Sequence, residues 1–258
     1  QWAALKSYQP DDGYYEGQQF LAVKIRATGQ LQGVVDRLSG VVRMPTAPGI
    51  YSSSPADLLR LFAVGHKAVD GRALWGGQLS ASALDTAGLA AWGAWCASKG
   101  LAFNGVIDAQ RSVWDVLQGI ARCGRASPTW ASGKLGVVWD ADNQPVVANF
   151  GMSNIRRGTF EVAYQSEDPV DEAVLSYIDA ANGYQPDQVR AVAPGVAVPS
   201  KSASIELWGC TSQAQAVKEC YLALAENLYR TRLVSWETDM EGLVVTRGDV
   251  VSLSHDLT

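Results

Sequence analysis

This sequence is poor in the residues from which catalytic and metal sites are most often built. Among 258 residues there are two histidines, His66 and His255, and four cysteines, Cys96, Cys123, Cys210 and Cys220. No two cysteines have CxxC spacing and none has a companion histidine, so the closed ligand set of a structural zinc site is lacking. Basic residues are also scarce: 21 Lys and Arg stand against 26 Asp and Glu, a net charge of −5, with no basic block. Electrostatic capture of nucleic acid therefore has little to work with, and stable DNA binding is not expected. No apolar run reaches the length that crosses a bilayer, and no basic stretch followed by an apolar one opens the chain, so no membrane span is expected. Repeats at solenoid spacing are missing too.

The cysteines that are present read as free thiols. If Cys220 lies on a helix ten residues past Cys210, the rise of ~1.5 Å per residue separates the two by about 15 Å. A disulfide needs Cα atoms within roughly 7 Å. Buried thiols, in a protein assembled in a reducing cytoplasm, are the expectation.

What is there is ordinary globular composition: 47% apolar and 18% charged residues, which argues against disorder and, at this length, for one or two domains. The start at Gln1 and the stop at Thr258, directly after the strand-like VVSLSHDLT, are what a piece of a longer polypeptide would show. Residues 1–17 read as polar loop with a turn at PDDG. FLAVKIRAT, from Phe20, alternates Leu21, Val23 and Ile25 against Ala22, Lys24 and Arg26, the pattern of a half-buried strand. GQLQGVVDRLSGVVRM continues it as a hairpin partner or irregular strand until MPTAPG breaks the run.

Three helices should follow. Ser54 and Pro55 form an N-cap and first-turn pair, Asp57 favours the positive helix end, and Leu58, Leu59 and Phe62 make an apolar stripe. A second helix is expected from about Ser82 to Lys99, with Leu84, Ala91, Trp92, Trp95 and Cys96 inward and Gly100 as its stop. A third begins at Ser112, with Trp114, Leu117, Ile120 and Ala121 inward, and ends at Gly124.

Strands dominate from there. PTWASGKLGVVWD reads as a hairpin turning at Ser132 to Lys134, and ADNQ with Pro145 turns the chain into PVVANF. GTFEVAY and AVLSYID are strands joined by QSEDP; ANGYQP is a loop; VRAVAPG and ASIELWG are further strand. The last helix starts at a capping box of Ser212 and Gln215 and repeats Val217, Cys220, Tyr221, Leu224 and Leu228 at helical spacing. RLVSWET and GLVVTRGDVVSL close the chain as two strands flanking the turn DMEG.

Candidate chemistry is thin. Ser254, His255 and Asp256 are the residue types of a hydrolase triad, but strand neighbours point to opposite faces and cannot align as nucleophile, base and orienter. His66 lies in a connecting segment, without a nucleophile and an orienter beside it. Asp140, Asp142 and Asn143 resemble a calcium loop without its central glycine and closing glutamate, so a hairpin turn is preferred. Glu237, Asp239 and Glu241 are either paired carboxylates of a glycosidase or a solvated strand edge whose charges discourage stray pairing. Arg247, Gly248 and Asp249 spell an adhesion tripeptide, and equally an ordinary turn into a strand. Gly71, Gly76 and Gly77 lack the order of a pyrophosphate-cradling loop. Nine tryptophans could line a carbohydrate groove, but Trp92, Trp95 and Trp114 fall on inner helix faces, and core or subunit contacts explain most of them. No catalytic, cofactor-binding or metal residue is assigned, and no cofactor is expected.

Four stretches carry a resemblance: FLAVKIRATGQLQGVVDRLSGVV; WDVLQGIARCGRASPTWASGKLGVVWD; NIRRGTFEVAY; and ELWGCTSQAQAVKECYLALAENLYRTRLVSWETDMEGLVVTRGDVVSL. They resemble successive blocks of phage tail proteins of the tip attachment protein J family. The last block is the most specific, with Gly209, Cys210 and Thr211 leading into a Gln-Ala helix, a strand, a turn at Glu241 and Gly242, and a strand opening at Gly248 to Val250.

The resemblance implies a structural role in a baseplate-hub-like tail tip of a phage or prophage, where the hub closes the tail tube and supports host attachment and DNA ejection. The implied partners are a tape-measure protein, other tail-tip and tube proteins, and further copies of the chain in a homotrimeric ring. The implied fold is α+β, a β-barrel-like hub domain of residues 17–44 plus 150–258 into which a small helical unit with an adjoining hairpin, residues 45–149, is inserted. This is a non-enzymatic reading, located in the virion tail. Two alternatives stand beside it. A tail-associated cell-wall glycoside hydrolase requires two carboxylates in one cleft, and a carbohydrate-binding module requires exposed coplanar aromatics.

Overall fold

A computed structural model describes residues 40–47, 49–164 and 170–256. The expected early strand at Phe20 to Thr28 and its hairpin continuation up to residue 39 lie outside the described residues. Among the rest, helices and small sheets mix as an α+β arrangement, and no sheet closes into a barrel.

Helix α1 (Pro55–Val64) starts with proline in its first turn and buries Pro55, Ala56, Leu59 and Ala63. The Ser54 hydroxyl does not cap it; instead Ser52 Oγ accepts from Ser54 N–H at 3.1 Å and donates to Asp57 at 2.6 Å. The chain turns back through the short pair β1 (His66–Lys67) and β2 (Ala73–Trp75). Gly65 and Gly76, both at positive φ, let two backbones touch there, since a Cβ on Gly76 would fall 2.4 Å from the Gly65 Cα. Gly76 and Gly77 thus serve close backbone packing, whereas Gly71 has open space around it and supplies only a positive φ.

Helix α2 (Thr86–Lys99) begins later than its periodicity predicts. A 3-10 turn at Ala81–Ala83 precedes it, and Asp85 is the cap, its carboxylate accepting from Gly88 N–H. Leu89, Trp92 and Cys96 are buried, whereas Ala91 faces out. Gly100, at φ 70°, ends the helix in the left-handed conformation, as a C-terminal glycine should. In α3 (Val113–Cys123) the Ser112 hydroxyl caps the Asp115 N–H at 3.0 Å. Val116, Leu117, Ile120 and Ala121 point inward, but Trp114 is 38% exposed because the helix's first turn projects beyond the core.

The hairpin of β3 (Ala126–Ala131) and β4 (Lys134–Trp139) turns on Ser132 and Gly133. Both have positive φ, the two-residue turn whose twist matches the strands. A three-stranded sheet follows in the order β8 (Gln185–Val192), β7 (Glu172–Asp179), β9 (Ser202–Glu206), with β7 and β8 antiparallel and β7 and β9 parallel. Helix α4 (Gln213–Tyr229) packs on β7 and β8. One apolar core runs through both parts, from Leu59, Trp92 and Ile120 to Leu175, Ala191 and Leu224.

Two expectations for α4 fail. Its inward face is Gln215, Ala216, Glu219, Cys220 and Leu224, while Val217 and Tyr221 are 37% and 56% exposed. Nor does the capping box form. Ser212 makes no cap, because Gln215 is turned inward to bond two distant segments described below.

The remaining strands stand apart from that core. β5 (Val146–Phe150) pairs in parallel with the C-terminal β11 (Val250–Leu253), and β6 (Glu161–Tyr164) pairs antiparallel with β10 (Arg232–Ser235). The two closing strands do flank the turn at 239–242 in sequence, but they do not pair with each other. Met240–Val244 forms a 3-10 turn between them, and each strand joins a partner from earlier in the chain. Among the described residues no helix is long and apolar enough to cross a membrane.

Leu224 is 3% exposed, and Leu224→Ala should cost about 2–5 kcal/mol through lost burial and the cavity left behind. Glu226 makes only an exposed pair with Arg230, at 3.0 Å, so Glu226→Ala should be nearly neutral. Urea denaturation midpoints compare the two, and equal midpoints would contradict the assigned helix face.

Candidate functional site

A cleft of about 660 Å³ opens between the β3–β4 hairpin, α4 and the β7–β9 sheet. Its floor is apolar, including Trp139, Leu175, Ile205 and Leu222. Its rim is charged and largely paired. Arg125, at φ 52° where α3 gives way to β3, brings Nε and Nη2 to within 2.8 and 2.7 Å of one Glu219 oxygen on α4. That carboxylate side chain is only 10% exposed, so the arginine supplies the compensation a buried charge requires. Asp140 accepts from Arg230 at 2.6 Å, and Asp142 pairs with Lys99 at the end of α2. The buried indole N–H groups of Trp95 and Trp139, both lining the cleft, have no acceptor among the described residues.

Asp140, Asp142 and Glu219 are thus each engaged by a basic side chain from another element. The Asp140, Asp142 and Asn143 segment is therefore a turn fastened by cations, with Asn143 at φ 55°. Among the described residues no group of three or more His, Cys, Asp or Glu side chains is placed to hold a metal ion.

The other sequence candidates are scattered. Glu237 and Asp239 share Arg156, at 3.0 and 3.8 Å, and all three side chains are more than half exposed. Glu241 lies in the 3-10 turn. His255 stacks on Phe160, ring centroids 3.8 Å apart and nearly parallel, just past the end of β11. His66 stacks on Trp75 across β1 and β2. Arg247 donates to Ser127 Oγ, Gly248 presses against Val138, and Asp249 accepts from Thr246 N–H and Oγ1. The Arg-Gly-Asp run is thus a turn with each residue in structural use. Among the described tryptophans Trp114 and Trp130 stand exposed, on different elements, while Trp92 is fully buried with its N–H donating to Gly124 O at 2.8 Å.

The Gly-Cys-Thr segment has a clear local cause. Gly209, at φ 87°, lies against the Phe103 ring, where a Cβ would come within 2.3 Å. Its carbonyl accepts from Asn104 N–H, and Thr211 Oγ1 accepts from the Asn104 amide. Cys210 and Thr211 carbonyls accept from Ile178 and Ala180, which extends the edge of β7. Trp208 sits edge-on to Phe103 at 4.9 Å, under Arg111 and over Gly119. Glycine in the sequence marks this position, but the partners are about a hundred residues away and carry no local signal. Nor does any local pattern foretell the Arg125–Glu219 pair.

With this geometry in view, residues 112–258 match the family described as "Putative phage tail protein". The chain belongs to that family. Membership places it in the virion tail, and the matched region holds α3, the hairpin, every later strand and α4. A curated relative, the tip attachment protein J of Escherichia phage SECphi27, is 26% identical over 154 residues, which cover 58% of this chain and 13% of that protein. The chain therefore corresponds to a small part of that relative's length. Among solved structures, a tail protein from Neisseria meningitidis MC58 aligns with a TM-score of 0.47 at 17% identity, over 60% of this chain and 49% of the other. A 43 kDa tail protein of prophage MuSo2 from Shewanella oneidensis aligns with a TM-score of 0.41 at 10% identity, over 58% and 47%.

The four cysteines are buried and free. Burial is the main cause that raises every one of their thiols, Cys96 up to about 12. A neutral, enclosed thiol is a poor nucleophile. The folded protein should therefore react slowly with a thiol-specific disulfide reagent at about pH 8, against about four equivalents per chain taken up rapidly once denaturant is added. Rapid labelling of the native chain would show that this packing is wrong.

Proposed function

We propose that this chain is a structural part of a phage or prophage tail tip, a baseplate-hub-like piece of the ring that closes the tail tube and supports host attachment and DNA ejection. The observation that carries this reading is the family match over residues 112–258, sharpened by the similarity to a protein named tip attachment protein J. In this reading the chain is not an enzyme. Its partners are the tape-measure protein, other tail-tip and tube proteins, and two further copies of itself.

Physical features favour such a role. The ribbons β5–β11 and β6–β10 are two strands each, too small to be stable alone in water. Leu233, Met240, Leu243 and Val244 near them are 61–77% exposed. Large apolar side chains left in water at a sheet with open edges are what an assembly interface offers. Residues 17–44 would join 150–258 in a barrel-like hub domain around the helical unit at 45–149, with core side chains shared between the two. A net charge of −5 suits a passage through which DNA must slide without adhering, since few phosphates would be neutralised.

Counting subunits at the tip of intact tails by electron microscopy tests the ring, with three copies expected. A single axial copy, or a dimer with twofold contacts, would sink it. Light scattering on this 258-residue chain reports whether it associates by itself, since a heterologous ring closes only when its whole contact surface is present. The same preparation should leave a peptidoglycan suspension turbid; clearing that a single carboxylate substitution abolishes would favour the wall-degrading alternative.

A further inference from the structure

The strands that leave the main core form a body of their own. Their ladders are internal, and so are the bonds between them: Arg156 N–H donates to Glu237 O at 2.9 Å and Thr238 Oγ1 to Asn154 O at 2.7 Å. Phe150 and Ile155 are buried there, with Trp236 tilted against Phe150 at 5.4 Å, and neither buried residue belongs to the main core cluster. A small private core of this kind is the mark of a unit that can move or open separately.

Among the described residues, what joins this lobe and its chain connections to the main body is of a different nature. Arg247 Nη2 donates to Ser127 Oγ at 3.0 Å on the β3–β4 hairpin. Asp140 and Arg230, the residues where the chain leaves β4 and α4 for this lobe, pair with each other in the open, 71% and 61% exposed. Asp142 is fastened to Lys99. Gly248, at φ 102°, lies so close to Val138 that a Cβ would fall 2.2 Å from Cγ1. The cleft itself lies on this seam, walled by Val138 and Asp140 on one side and by Gly248 and Val250 on the other. Polar latches beside an open cleft resist rotation far less than interdigitated apolar side chains do, and hinges fall at element ends such as these.

We infer that residues 146–164 and 232–256 form a hinged lobe that swings as a unit about its three chain connections to the main body, at the Asp140–Pro145 turn, between Tyr164 and Val170, and at the Arg230–Thr231 junction, restrained by the Asp140–Arg230 pair that clasps two of those connections and by the Arg247–Ser127 bond across the seam. The inference stands apart from the hub reading, because it concerns motion within one chain and needs no partner. The swing opens or shuts the cleft and changes the direction in which the exposed apolar residues of the lobe face.

Hydrogen exchange read by mass spectrometry on the 258-residue chain tests it. Peptides from the two lobe segments should exchange as one group, faster than those of α1 to α4 and β7. Raising the salt from about 50 to about 500 mM screens the exposed pair and should speed lobe exchange by up to about fivefold, the most that such a pair contributes, leaving the main body unchanged. The double variant Asp140→Asn with Arg247→Gln should exchange fast at low salt and respond less to added salt, the Lys99–Asp142 pair at the same turn being left in place. Gly248→Ala should loosen the lobe by steric contact, and adding Val138→Ala should restore part of the protection. The hinge is overturned if lobe and body peptides exchange together, if salt and the double variant alter both bodies alike or neither, or if Gly248→Ala unfolds the body along with the lobe.

Discussion

The packing depends on one buried amide. Gln215, 2% exposed at the start of α4, accepts from Ala102 N–H and donates to the Cys123 carbonyl, both at 3.1 Å. It thereby satisfies a backbone donor after α2 and a backbone acceptor at the end of α3. Without it those groups would be buried and unpaired, at a cost of about 1–3 kcal/mol each. The same seam holds Gly209 against Phe103 and Trp208 against Gly119, and it fixes where the sheet of β7 to β9 meets the helices. Arg125 and Glu219 close it on the cleft side.

That seam joins the helical unit and the central sheet through one apolar core, and among the described residues β5, β6, β10 and β11 are held to it by weaker means. The contrast is one of dielectric and shape. Apolar side chains and enclosed hydrogen bonds hold the first pair together, whereas among the described residues the lobe meets the body through Arg247 on Ser127 and Gly248 against Val138, with exposed ion pairs at its chain connections.

Much of the local structure was legible in the residues. Proline in the first turn of α1, glycine at the end of α2, the Ser112 cap of α3 and the Ser132-Gly133 hairpin act over a few residues, and each formed where the local pattern put it. The errors came where a local pattern competed with a distant partner. Gln215 was spaced for a capping box and was drawn instead into the seam. Val217 and Tyr221 kept helical spacing but lie on the exposed side, because the sheet beneath α4 selects Ala216, Glu219 and Cys220. The closing strands were legible as two strands flanking a turn, but their partners were not: β11 runs parallel to β5 and β10 pairs with β6.

The amino-acid sequence alone determined the absence of a basic block, the scarcity of histidine, the helix and strand order, and a likeness to phage tail proteins that the family match bears out. These follow from composition and from interactions within one turn or one strand. Tertiary structure decided which face of α4 is inward, that Glu219 is buried against Arg125, and that Asp140 and Asp142 are clamped by cations. It also decided which strands pair. Those outcomes depend on residues about forty to a hundred positions apart meeting at one surface, and the free energy that selects them is the burial and pairing of groups whose partners no local window contains.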